Sequence, residues 1–246
     1  MKTILVMLIA IGLTLAGNAQ EKMSRTLERM DVIPAQFTGT QYIANTDQSA
    51  DLFMQFLRSS ISEDNKLSAV NYEGTEVVKF TVTETGEVKD IRFVNSVCVQ
   101  IDNAIARAIE STSGMWKPAI KGDEFGECYP EISLCFSHKT GNVETQEHFI
   151  NQAEKHYEKA SQQMFVDQNL KKAERNFTEV LNYMPYDGST LYLRGICRYE
   201  RGNTEGAIDD WSRFTEITGL TAAPPELVLD EKQFKGVEAF ASLYKK

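Results

Sequence analysis

The spacing of apolar positions changes near residue 140, from mixed periods before it to a helical period after it. In ADLFMQFLRSSI, residues 50–61, Leu52, Phe53, Phe56 and Leu57 fall on one face of a helix. In EVVKFTVTETGEVKDIRFVNS, residues 76–96, Val78, Phe80 and Val82 alternate with Val77, Lys79 and Thr81, which is the period of a half-buried strand. Thr83–Glu87 reads as a turn, with Gly86 suited to positive φ, and Ile91 and Phe93 continue a second strand, so the pair predicts a β-hairpin. A helix is predicted over 101–110, with Ile101, Ile105 and Ala108 or Ile109 on one side. A third strand is predicted over 128–137, where Cys128, Pro130, Ile132, Leu134 and Phe136 share a face. Pro130 lacks a backbone donor and favours an edge or a strand start.

Beyond a polar stretch at 139–146, read as a linker, every segment has helical spacing. Phe149, Ala153, Tyr157, Ala160 and Met164 mark the first helix, and Ala173, Phe177, Val180, Leu181 and Met184 the second. Pro185 and Gly188 sit in the break, and Leu191, Gly195 and Tyr199 mark a third. Ala207, Ile208, Trp211, Phe214 and Ile217 mark a fourth, and Phe234, Val237, Ala241 and Tyr244 a last one after Pro224 and Pro225. The expected organisation is a small α+β module at 51–138, its start alternatively at 31, then helical hairpins at 147–219 and a capping helix region at 220–246. Residues 20–50 form a polar N-terminal segment.

The N-terminus, MKTILVMLIAIGLTLAGNAQ, has one basic residue, an apolar run from Ile4 to Ala16, and Gly17 and Ala19 in a small-x-small pattern. This predicts a cleavable signal peptide over 1–19, leaving Gln20 first. The run is 13 residues long, short for a bilayer span of roughly 20. An uncleaved anchor is the alternative. Export, to the periplasm or outside the cell, permits disulfides. Cys128 and Cys135 share one predicted strand and are too far apart to bond. Cys98 has the reach in sequence to pair with either, and Cys197 falls on a packed helix face.

Two sets of motifs carry family resemblances. From about 31 to 137, VIPAQF, the hairpin GTEVVKFTVTETGEVKDIRFVNS, the helix IDNAIARAI and the connector MWKPAIKGDEFG follow in the order that characterises TonB C-terminal-like domains, which this segment resembles. That resemblance implies a small antiparallel sheet with helices. It also implies a binding mode in which an extended segment of an outer-membrane transporter adds a strand to an open edge. Residues 154–219 resemble two tandem tetratricopeptide repeats, most clearly in LYLRGICRYERGNTEGAIDDW. Ala173 and Ala207, and Phe177 and Trp211, lie 34 residues apart, the period of that repeat. Ser161 and Gln168 stand where the second repeat has Gly195 and Gly202.

In structural roles, Trp116 is expected to end a helix and pack on the sheet, Pro118 to stop that helix, and Gly122 and Gly126 to turn the chain into the last strand. Gly195 is expected to let paired helices approach, Gly202 to end the first helix of its hairpin, Ala207 to sit at a close contact, and Trp211 to fill the large apolar position. If the repeat alignment holds, Phe165, Tyr192 and Tyr199 line a concave face, where they grip a peptide or pack against a neighbour.

The formal charge is −9. That argues against nucleic acid as a partner, since such binding needs a basic footprint, and against simple attraction to anionic lipid. Membrane contact after cleavage is peripheral or absent in this reading. His138, His148 and His156 show no ligand spacing, and no nucleophile, phosphate-loop or dinucleotide motif occurs. Asp209 and Asp210 read as a solvated helix face. No catalytic, cofactor or metal residue is assigned. The expected function is a non-enzymatic protein–protein interaction in the bacterial envelope, with one partner on the sheet and a second on the hairpins. An energy transducer for outer-membrane transport, held by an uncleaved anchor, is the alternative. An enzyme with an unrecognised site is a further one.

Overall fold

The computed structural model describes residues 32–39, 49–62, 73–137, 142–225, 227, 229–230 and 232–244. The chain is mixed α and β, with seven helices and small antiparallel sheets among the described residues. It divides into two compact units, one of residues 24–138 and one that holds 139–246. The predicted signal peptide and most of the polar segment after it lie outside the described residues.

In the first unit, β3 (Gly74–Val82) lies between β4 (Val88–Asn95) and β8 (Glu131–Phe136), antiparallel to both. Its burial differs from the expected pattern. Val78, Phe80 and Val82 face the core, but Thr75, Val77 and Thr81 on the other face are buried too. The alternation alone implies a half-buried strand, whereas both sets of alternating positions are largely buried here. The core face is covered by α1 (Ser49–Ser62), through Phe53 and Leu57, and by α2 (Val99–Glu110), through Ile101, Ile105 and Ile109. Gly86 turns the hairpin at φ 82°, and a Cβ there would overlap the carbonyl oxygen of Trp116. Two independent constraints therefore require glycine at this position.

The connector from 113 to 127 is strand rather than helix end. Helix α2 stops at Glu110, capped at Ser111. Trp116 lies in β5 (Trp116–Lys117) and pairs with Phe37 of β2 (Gln36–Phe37). It ends no helix, and Pro118, between β5 and β6 (Ala119–Lys121), stops none. What the indole does is fill the core beside Phe37, Phe53 and Phe80, at centroid distances of 5.3, 4.8 and 5.5 Å, with 9% of its surface exposed. Its Nε1–H donates to the Thr112 hydroxyl at 3.0 Å, so the one polar atom of the ring is satisfied. Gly122, at φ 63°, reverses β6 into β7 (Glu124–Gly126), and β1 (Val32–Ile33) pairs on the other side of β6. Gly126 has an ordinary backbone and makes no turn.

The second unit is built from α3 (Asn142–Phe165), α4 (Leu170–Tyr183), α5 (Gly188–Glu200), α6 (Thr204–Thr218) and α7 (Lys235–Tyr244). Helix α3 starts inside the stretch read as linker. The geometry repeats with the sequence offset of 34. Ala173 and Ala207, Phe177 and Trp211 are all buried. Gln168 takes φ 52° where Gly202 takes φ 85°. Asn169 and Asn203 both cap the next helix, accepting from Lys172 N–H at 3.2 Å and Gly206 N–H at 3.1 Å. A Cβ on Gly195 would lie 2.6 Å from Cδ1 of Trp211, so the glycine is what admits the indole between the paired helices. Gly202 stands just beyond the end of α5, in the left-handed conformation that helix ends favour. Ile208, assigned to the packed face, is exposed instead, because α6 turns it away from α5.

Candidate partner-binding surfaces

The sheet of the first unit ends in two edges, β4 and β8. They differ. The β3–β4 ladder is broken by register shifts at Val77/Val78 and Lys79/Thr81, and Asp90 sits at φ 54°. Lys89, Asp90 and Arg92 are exposed along it. Bulges and charges of this kind discourage another strand from pairing. Strand β8 is regular against β3 from Glu131 to Phe136. Val82 and Cys128 exchange both backbone bonds, at 2.9 and 3.0 Å, and Phe80 N–H reaches Pro130 O at 3.2 Å. Antiparallel pairing alternates, so the even-numbered residues of β8 face β3. Ser133 and Cys135 then direct their N–H and C=O groups to the outer side, where no described strand pairs. Both side chains are small and exposed, while Ile132 and Phe136 are half-buried on the core face.

Of the three aromatic residues expected to grip a peptide or pack against a neighbour, Tyr192 is covered by the chain itself, Tyr199 partly so, and Phe165 stays exposed. Tyr192 is 0% exposed, with its ring 5.9 Å from Phe214 and 5.1 Å from Phe240. Tyr199 is half-buried, 5.8 Å from Trp211, and its Cβ is near Gly236. Phe165 keeps 38% of its surface and meets Phe234 edge-on at 6.1 Å. Helix α7 and the residue before it therefore occupy the face that these side chains are expected to offer. The expected grip is corrected for Tyr192, which has no surface to give. Phe240, 1% exposed among Tyr192, Trp211, Phe214 and Tyr244, is the missed centre of this packing.

Two polar clusters are not evident in the sequence. Asp210 is not on a solvated face: it is 3% exposed. Arg194 grips it through Nε at 3.0 Å and Nη2 at 2.7 Å, and Arg198 adds a contact at 3.0 Å. Burial pushes the Asp210 carboxyl up while Arg194 and Arg198 pull it back. Arg198 and Arg201 both also reach Glu174 of α4. At the equivalent position, 34 residues earlier, Asn176 is buried and bonds His156 at 3.1 Å and Gln163 at 2.9 Å. A polar residue one place before a large aromatic, repeated at this offset, is the signal that could have found it.

The second cluster joins β3 to α2. Glu76 is 0% exposed, and its Oε2 accepts from Val97 N–H at 2.9 Å. Its Oε1 finds no donor. Asp102, held by the Ser96 hydroxyl at 2.9 Å, is the charged group acting on it. Burial first, with Asp102 adding to it, pushes the Glu76 carboxyl up to about 8. At neutral pH it keeps its proton, and a protonated carboxyl can donate to Asp102 where two carboxylates would only repel. In sequence nothing singles out this acid, which lies inside β3 two residues before Val78.

The four cysteines are free. Cys197 is buried, and burial pushes its thiol up to about 12. No described helix is long and apolar enough to cross a membrane, and no described cluster of three His, Cys, Asp or Glu residues could hold a metal. Comparison with protein-family models, with curated proteins and with solved structures finds no match for the chain.

Proposed function

We propose that the chain is an exported protein–protein interaction protein whose first unit is a TonB C-terminal-like domain that docks an extended partner segment on β8. Its second unit is a pair of tetratricopeptide-like hairpins that hold another protein. The observation that carries this reading is the outer edge of β8, where Ser133 and Cys135 present main-chain donors and acceptors beside small exposed side chains. A joining strand would satisfy those groups and cover Ile132 and Phe136. The order of hairpin, helix, connector and last strand supports the domain assignment. The 34-residue offset in caps, left-handed turns and buried aromatics supports the repeat assignment.

The test is Ser133→Pro in the full chain. Proline removes an outward donor without touching the β3 ladder. Circular dichroism and melting are expected to stay close to the parent protein, while capture of an alternating apolar peptide tethered to beads is lost. Equal capture by both proteins would rule out β8 as the docking edge. Export belongs to the same proposal: the mass of the protein from envelope fractions is expected to begin at Gln20, and a species retaining Met1 would move the reading to an anchored protein.

A further inference from the structure

Helix α4 carries an open groove of about 520 Å³ lined by Lys171, Lys172, Arg175, Thr178, Glu179 and Arg201, with Asn169 at its start and Glu174 in its floor. Its charge runs against that of the chain. Of the acids that line it, Glu174 is already engaged by Arg198 and Arg201, and Arg198 is shared with the buried Asp210, which Arg194 also holds. Lys171, Lys172 and Arg175 are exposed and enter no ion pair among the described residues. Glu179 is the remaining acid of the groove. A protein of net charge −9 thus concentrates an excess of cations along one helix face.

We propose that this groove binds an acidic segment of a protein partner. The proposal rests on the reading of the second unit as a partner-holding module and not on the edge of β8. Charge complementarity selects the occupant, since a negative segment is attracted here and repelled by the rest of the surface. Geometry selects a chain over a compact anion. Lys171 and Arg175 are one turn apart on one face, with Lys172 beside them and Thr178 a further turn along. At a rise of about 1.5 Å per residue, the lined stretch runs on the order of 15 Å along the helix. The cations are strung along it and do not converge on a point, which suits successive carboxylates of an extended peptide. The floor network keeps Glu174 from cancelling them, and Arg194 also donates to the Thr178 hydroxyl at 3.3 Å, fixing the wall.

The experiment uses the full chain and a short fluorescent peptide rich in Glu, titrated by anisotropy at low and physiological salt, with a Lys-rich peptide of equal length as control. The Glu-rich peptide is expected to bind, more weakly as salt rises, and the Lys-rich peptide not to bind. Lys171→Gln, Lys172→Gln and Arg175→Gln together are expected to weaken binding by about tenfold or more, since they remove the attracting charges. All three side chains are exposed, so folding is expected to be unchanged by circular dichroism. Ser133→Pro is expected to bind the Glu-rich peptide as the parent does, which separates this surface from the strand edge. Equal binding by the triple variant would overturn the proposal. So would displacement of the peptide by inorganic phosphate or an oligonucleotide at equal or lower concentration, which would make the surface a general polyanion site.

Discussion

Trp211 occupies the space that a side chain on residue 195 would need. A Cβ on Gly195 would lie 2.6 Å from Cδ1 of the indole and 2.9 Å from Cε2, while Nε1–H donates to Tyr192 O at 3.3 Å. Gly195→Ala is therefore expected to destabilise the second unit by about 1–3 kcal/mol, the usual cost of overpacking a filled core. Urea unfolding followed by circular dichroism checks it. No loss of stability would mean that the indole can move aside and that the glycine is not required for the approach of α5 and α6.

Trp116→Ala is expected to cost about 3–5 kcal/mol, as large aromatic truncations in cores do. Its ring touches Phe37, Phe53 and Phe80, which come from a short strand, a helix and the central strand. Denaturant unfolding of the first unit reads the effect. A variant that folds like the parent but loses partner capture would instead make Trp116 a contact residue.

Phe240→Ala removes the side chain against which Tyr192, Trp211 and Phe214 all pack. The expected loss is again about 3–5 kcal/mol. It should be accompanied by faster hydrogen exchange in α5 and α6 than in α3. Unchanged exchange would show that α7 is an appendage and that Tyr192 can be exposed without harm.

Glu76 gives the pH prediction. Its folded pKa, about 8, lies above the ordinary value of 4.5, so the folded state holds the proton more tightly. Stability from this group is fully present below about 4.5 and is lost as pH rises through about 8. Each tenfold difference in proton affinity between the folded and unfolded states corresponds to about 1.4 kcal/mol. Glu76→Gln keeps an acceptor for Val97 and supplies a permanent donor toward Asp102. It is expected to be more stable than the parent at pH 9 and to flatten the decline between pH 5 and 9. A parent protein equally stable at both values would mean that the carboxyl ionises without cost.

Local pattern reveals the elements better than their surroundings. The hairpin at 76–96, the helix at 101–110 and the buried faces of α3 to α6 follow from period alone, because one face of each meets a core. Burial of both faces of β3 is not legible, since Thr75, Lys79 and Thr81 make the second face look polar. The connector reads as a joint, and Gly86 and Trp116 do meet there, but two of its three short strands pair with residues some eighty positions away. Asp210 looks like surface because its arginine partners sit on the preceding helix. The outer edge of β8 and the basic groove share this property: each is a product of tertiary placement, and no motif announces it.

Helix α7 follows the helices it covers, and order of synthesis gives that fact weight. Tyr192, Trp211 and Phe214 leave the ribosome before Phe240 does. For that interval α5 and α6 carry an uncovered aromatic face, the kind of surface that chaperones and export factors recognise and that drives aggregation when it persists. A chain lacking α7 would keep this face open, whereas the chain with α7 hides it.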